Sequence, residues 1–172
     1  NIGEHVFYVS GNGGGLTNGV YFDGVIGGDF GVNPNAALNQ HEVAFIKSSN
    51  TIGVNDDFQI RNGVFNQTST VPYATVICTN LDLLRLKLEN ITVSDKITAL
   101  IYPRGSAHYC DIDGVYSSET GATRIVYTHS ANSEIKRYTA KNINLASSAQ
   151  HHMQVFDYVC DSTLLDIRPT VP

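Results

Sequence analysis

A two-strand unit recurs along this chain, and no other feature restricts its possible folds so strongly. Each unit joins a short apolar run to a second run that carries Asn or Asp ahead of a further apolar pair. "HVFYVSG" leads to "GVYFDGVIGG", "EVAFIKS" to "DFQIRNGVFNQ", "ATVICTN" to "LRLKLENITVSD", "ITALIYP" to "AHYCDIDGVYSS", and "TRIVYTH" to "IKRYTAKNINLAS". A partial sixth unit, "HMQVFDYVCDS", trails into "LLDIRPTVP". The period-two alternation in "LRLKLENITV" argues for half-buried strands rather than helices. The Asn or Asp markers are Asp23, Asn62, Asn90, Asp113 and Asn142. Their uneven spacing is taken up by insertions such as "GGDFGVNPNAALNQ" and "NQTSTVPYA", which fall at the same point of their units. Slack collected at one corner is the signature of a solenoid with loops on one face.

In that arrangement the strand beginning near Leu84 pairs with its equivalents in the turns before and after it. All strands then run parallel, and the rest of each turn replaces the crossover helix that parallel strands otherwise need. Six turns at a strand spacing of about 4.8 Å make a column some 25 to 30 Å tall. Asn and Asp at the corner tolerate the left-handed backbone such corners demand. A β-sandwich or jelly roll would instead call for hairpins with tight two-residue turns at steady intervals. Only "RNGVF" and "SGNGGG" offer that chemistry, and both also suit the solenoid.

Composition agrees with an all-β chain and excludes several partners. Charged residues are 16% of the 172, well under the roughly one quarter of average domains. Asn, Ser, Thr and 15 Gly carry the polarity instead, a mixture that suits strands and turns. A net charge of −5 with scattered Lys and Arg argues against nucleic acid and against a basic membrane surface. No apolar run approaches the length of a membrane span, so no membrane insertion is expected. Residues 1–172 read as a single domain, and the start at Asn1, without Met or signal peptide, reads as a piece of a longer modular protein. Cys78, Cys110 and Cys160 lie far apart without CxxC spacing, which points to buried free thiols.

The motifs "IRNGVF", "LENITV" and "IDGVYS" resemble the right-handed parallel β-helix proteins of the pectin-lyase-like superfamily, over nearly the whole chain at the level of rung pattern. That superfamily includes pectate lyases, polygalacturonases, and the trimeric tailspikes and appendages of bacteriophages. Irregular rungs rich in Asn, Thr and Gly are similar to the phage branch. The resemblance implies a homotrimeric parent located on the virion or outside cells. It implies binding of bacterial surface polysaccharide during adsorption, with or without its degradation. A polygalacturonase-like hydrolase and a structural shaft without ligand are the alternatives, so enzymatic activity stays open.

Candidate residues follow. "GVNDDFQI" looks like the paired-aspartate motif of polygalacturonases, which makes Asp56 and Asp57 candidate acid and base. The Asn-Thr-Asp, Gly-His-Gly and Arg-Ile-Lys tracts of those enzymes are missing, and an Asx turn would use the same two aspartates. "CDIDG" sets Asp111 and Asp113 on one face, roughly 6 to 7 Å apart, if Ile112 points inward. Aligning Asp113 with Asn62 and Asn90 would instead turn Asp111 inward, a conflict that a shifted register resolves. Arg61 on a strand and Arg104 in the turn "YPRGS" have no aspartate cluster beside them, which ranks lyase chemistry below hydrolysis. Tyr21, Tyr102, Arg104, Tyr109, Tyr116 and Tyr138 are the candidate carbohydrate contacts, with Tyr8 beside them, because tyrosine rings stack on pyranoses. Adjacent His151 and His152 point to opposite faces and cannot chelate together, and His108 and His129 fall in successive turns; no metal or other cofactor is expected. "GNGGG" lacks the Lys and helix of a phosphate loop, and Asn66 and Asn90 begin glycosylation sequons.

Overall fold

"VAFIKS", "ATVICT" and "ALIYP" are nearly unbroken apolar strings, and such strings belong in parallel strands covered on both faces. A computed structural model of the chain describes residues 6–9, 17–29, 43–48, 55–68, 74–79, 82–94, 96–103, 105–121, 124–127, 134–147, 153–154, 158–160 and 163–169. Along these run β1 (Phe7–Val9), β2 (Thr17–Asp23), β3 (Ile26–Gly28), β4 (Val43–Ser48), β5 (Asn55–Asn66), β6 (Ala74–Thr79) and β7 (Leu86–Val93). They continue with β8 (Ala99–Pro103), β9 (Ala107–Gly121), β10 (Arg124–Tyr127), β11 (Glu134–Ser147), β12 (Met153–Gln154), β13 (Tyr158–Cys160) and β14 (Thr163–Pro169). Among the described residues there is no helix, and so none long and apolar enough to cross a membrane.

The strands form two sheets, and every recorded pairing is parallel. The first sheet has the order β1-β4-β6-β8-β10-β12. The second has the order β13-β11-β9-β7-β5-β2, with β3 added against β5 and β14 against β11. The chain visits the sheets alternately, so each pass lays one strand on the first sheet and a longer one on the second. The expected pairing of the "LRLKLENITV" run holds, with β7 lying between β5 and β9. The partial sixth unit, "HMQVFDYVCDS", divides between the sheets. Its Met153–Gln154 part joins the first sheet and its Tyr158–Cys160 part the second.

Two corners shape each pass over the second sheet, where the sequence suggested one. In β5 the buried positions are Asn55, Phe58, Ile60, Gly63 and Phe65; in the next pass they are Leu83, Leu86, Leu88, Ile91 and Val93. Then come Ala107, Cys110, Ile112, Val115 and Ser117, and after them Ile135, Tyr138, Ala140 and Ile143. Steps of two are ordinary strand alternation; each step of three marks a residue that turns the backbone and swaps the faces. At the second corner, register stacks Gly24, Asn62, Asn90, Gly114 and Asn142, all with positive φ between 50° and 72°. The expected markers Asp23 and Asp113 therefore sit one residue before the corner, where glycine supplies the left-handed backbone instead. The first corner stacks Gly19, Asp57, Arg85, Tyr109 and Arg137, and all but Arg85 have positive φ.

A continuous apolar core lies along the buried positions of both sheets, from Phe58, Ile60 and Phe65 through Leu86, Leu88 and Ile91 to Ile112, Val115 and Ile143. Phe22, Phe45 and Phe65 pack edge to face at 5.0 to 5.6 Å at its first end, with Phe7 leaning on Phe22 and Phe45. The middle of the first sheet is closed on both faces, because all side chains of β4, β6 and β8 are buried, whereas Phe7 and Tyr8 of its edge strand β1 are exposed. Cys78 and Cys110 are buried thiols outside any disulfide, as expected; the side chain of Cys160 lies outside the described residues.

Candidate functional site

The stretch between the two corners presents two outward columns on the second sheet. Register places Tyr21, Gln59, Lys87, Asp111 and Thr139 in one column and Asp23, Arg61, Glu89, Asp113 and Lys141 in the other. At the first end of this face a cleft of about 250 Å³ is lined by Tyr21, Phe22, Asp23, Gln59 and Arg61. Tyr21 is 59% exposed, yet its ring is tethered, since its hydroxyl donates to Asp57 Oδ2. Gln59 Nε2 donates to the other oxygen of that carboxylate at 2.8 Å. Those two hydrogen bonds, Gln59's first, hold the Asp57 carboxyl below its ordinary value, and donating its proton to that carboxylate raises the Tyr21 phenol. Arg61 reaches Glu89 at 3.5 Å, and Lys87 reaches the same carboxylate oxygen at 3.0 Å.

Asp56 has a different partner. Arg85 in the next pass grips it through both oxygens, Nε to Oδ1 at 2.6 Å and Nη2 to Oδ2 at 2.7 Å. This fork pulls the Asp56 carboxyl down and raises the guanidinium. Asp113 accepts from Asn142 Nδ2 at 2.7 Å and faces Lys141 Nζ at 3.1 Å, and both lower it, the amide more. Ile112 is fully buried, so Asp111 and Asp113 do share the outer face, and placing Gly114 at the corner removes the conflict in their alignment. The two aspartate pairs remain apart: Asp56 and Asp57 stand on β5, Asp111 and Asp113 on β9, with β7 between them.

The tyrosine row divides. Tyr21, Tyr109 and Tyr116 are exposed at 59%, 50% and 49%. Tyr102 and Tyr138 are fully buried and contribute nothing to an outer face. Tyr102 belongs to the part of the first sheet covered on both sides, and Tyr138 follows a first-corner residue by one, which turns it inward beside Cys110. Burial pushes the Tyr138 phenol well up and the Cys110 thiol up to about 12. Tyr109 is capped by Arg137, whose guanidinium sits 4.9 Å over the ring and donates to the hydroxyl at 2.6 Å. Tyr116 lies beyond the second corner, in the exposed column Ile26, Val64, Thr92, Tyr116. Arg104, His129, His151 and His152 lie outside the described residues. Both sequon asparagines, Asn66 and Asn90, are exposed.

Sequence reading did not pick out Gln59 or Arg85, and it saw Asp23 only as a corner marker. Superposing the units on the second-corner column puts Gln59 beside Tyr21, and Arg61 beside Asp23, so the signal was present in the spacing. A planar aromatic ring held in place beside an amide, a carboxylate and a guanidinium can cover one face of a polyhydroxylated ring and bond its rim. The described residues contain no group of three or more His, Cys, Asp or Glu able to hold a metal ion. No protein-family model, curated protein or solved structure matches the chain.

Proposed function

We propose that the chain is a right-handed parallel β-helix of about six coils that binds bacterial surface polysaccharide, as part of a trimeric phage tailspike or appendage. The alternating visits to two parallel sheets and the in-register corner columns support the helix. Its hand is the one that parallel crossover connections take. The phage setting rests on the likeness of the rungs to that branch of the pectin-lyase-like proteins.

One observation carries the binding reading: the Tyr21 ring is exposed but pinned by Asp57 at the edge of a cleft lined with Asp23, Gln59 and Arg61. A platform already immobilised loses little entropy when a sugar stacks on it. At about 250 Å³ the cleft is smaller than the roughly 300–1,000 Å³ of small-molecule pockets, which suits one residue of a chain lying across the face.

Binding is favoured over hydrolysis by the carboxylates. An inverting hydrolase needs one carboxyl with a raised pKa to protonate the leaving group. Asp56, Asp57 and Asp113 are all lowered by hydrogen-bonding partners. The test is incubation of the protein with a panel of bacterial surface polysaccharides, following retention and chain length together. Retention without new reducing ends, weakened in Tyr21→Ala, is the expected result. New reducing ends would favour the hydrolase, and neither signal across the panel would leave a structural shaft.

A further inference from the structure

Every side chain of β4 is buried, and one of them is a lysine: Lys47 is only 7% exposed. Parallel register sets it opposite Cys78 on β6, with Tyr102 on β8 beyond. Its Nζ stands 2.9 Å from the Cys78 Sγ, a fully buried thiol that is in no disulfide. An aliphatic side chain of similar length would fill this slot without the cost of taking an amine out of water. What lysine adds is a nitrogen within reach of the sulfur through one bridging atom.

We propose that Lys47 and Cys78 form a covalent side-chain crosslink through a single oxygen, N–O–S, built by dioxygen. The S–H bond, one N–H bond and the O–O bond break, while N–O, O–S and the bonds of one water form. Sulfur and nitrogen each give up two electrons, and dioxygen accepts all four. One oxygen atom stays in the bridge and the other leaves as water; an ammonium also releases its extra proton. The gap at 2.9 Å admits one bridging atom, whereas a direct S–N bond would require two ladder-paired strands to close up. Dioxygen is small and apolar enough to enter such a core. The bridge ties β4 to β6 across 31 residues of chain, and a dithiol reductant returns amine, thiol and water.

The test purifies the full chain anaerobically and then exposes it to air-saturated buffer. Intact mass under denaturing conditions should rise by one oxygen less two hydrogens. Fragmentation should join the peptides carrying Lys47 and Cys78, the melting temperature should rise, and dithiol should reverse all three. Lys47→Met and Cys78→Ser should abolish the mass change; because wild-type mass carries the test, a variant that fails to fold does not disable it. Cys78 that stays fully alkylatable after air exposure overturns the proposal. So does added oxygen without loss of hydrogen, which is an acid of cysteine, or loss of two hydrogens without oxygen, which is a direct bond.

Discussion

At the residue scale the second corner column depends on a ladder of side chains. Asn62 Nδ2 donates to Asp23 Oδ1 at 2.8 Å, Asn90 Nδ2 to Asn62 Oδ1 at 3.1 Å, and Asn142 Nδ2 to Asp113 Oδ1 at 2.7 Å. Asn62, Asn90 and Asn142 were legible in the sequence because asparagine advertises left-handed backbone. Asp23 and Asp113 misled because a carboxylate one residue earlier supplies the same rung while glycine makes the turn. Gly114 therefore has two constraints: a φ of 72°, and a Cβ that would lie 3.0 Å from Asn90 Oδ1. Gly114→Ala should cost about 1–2 kcal/mol in urea denaturation, and Gly114→Asn less, since asparagine accepts this φ elsewhere in the column. The ladder also gives a pH dependence. Because the Asp113 carboxyl is lower in the folded chain than in the unfolded one, its contribution is present above the ordinary carboxylate value and lost as pH falls through its folded value. Asp113→Asn should thus be less stable than wild type by a constant amount from neutrality down to about pH 4, and the difference should close below it. Urea midpoints across pH measure both arms.

At the element scale, the strands of the first sheet were legible as strands, and their apolar strings suit cover on both faces, but the identity of the second cover was not legible. Nothing in "ATVICT" states what covers its second face; only tertiary packing decides that. The long strands were partly legible for a different reason. Their steps of three and two are written in the apolar positions, but "LRLKLE" displays the steps of two, while the first corner holds residues that do not announce a turn. Tyr109 and Arg137 are bulky side chains at φ of 54° and 51°, where sequence statistics expect Gly, Asn or Asp. Their mutual stacking and hydrogen bond form only after the passes are in register. Burial sets the energetic contrast between faces. Ile77→Ala, fully buried in β6, should cost about 2–5 kcal/mol by loss of transfer energy and the cavity left behind. Ile26→Ser, at a position 80% exposed, should stay within about 0.5 kcal/mol. Thermal melts of the two variants separate the cases.

At the scale of the whole molecule, parallel stacking makes each strand's protection depend on its neighbours. β5, β7, β9 and β11 have partners on both sides, whereas β2 pairs only with β5 among the described strands. In a parallel ladder the amides of a terminal strand point alternately toward its partner and away from it, so about half lack a ladder acceptor. Amide exchange should therefore be slowest at Phe58–Ile60, Leu86–Leu88 and Ile112, and faster at Val20–Phe22. This gradient bears on function, because the proposed sugar platform Tyr21 lies on that less protected terminal strand while Gln59 and Arg61 lie on its inner neighbour. A glycan seated between them links the two strands and stabilises the closed form of β2 by mass action. At a glycan concentration ten times its Kd, exchange of the β2 amides should slow about tenfold, while β7 and β9, which already open only with the whole fold, should change no more than global stability requires. Because global unfolding slows by the same factor, the discriminating amides are those of local openings: slowing at β2 with β13 and β14, at the opposite end of the second sheet, unchanged would locate the site at Tyr21 without any mutation, and the reverse pattern would place the ligand elsewhere.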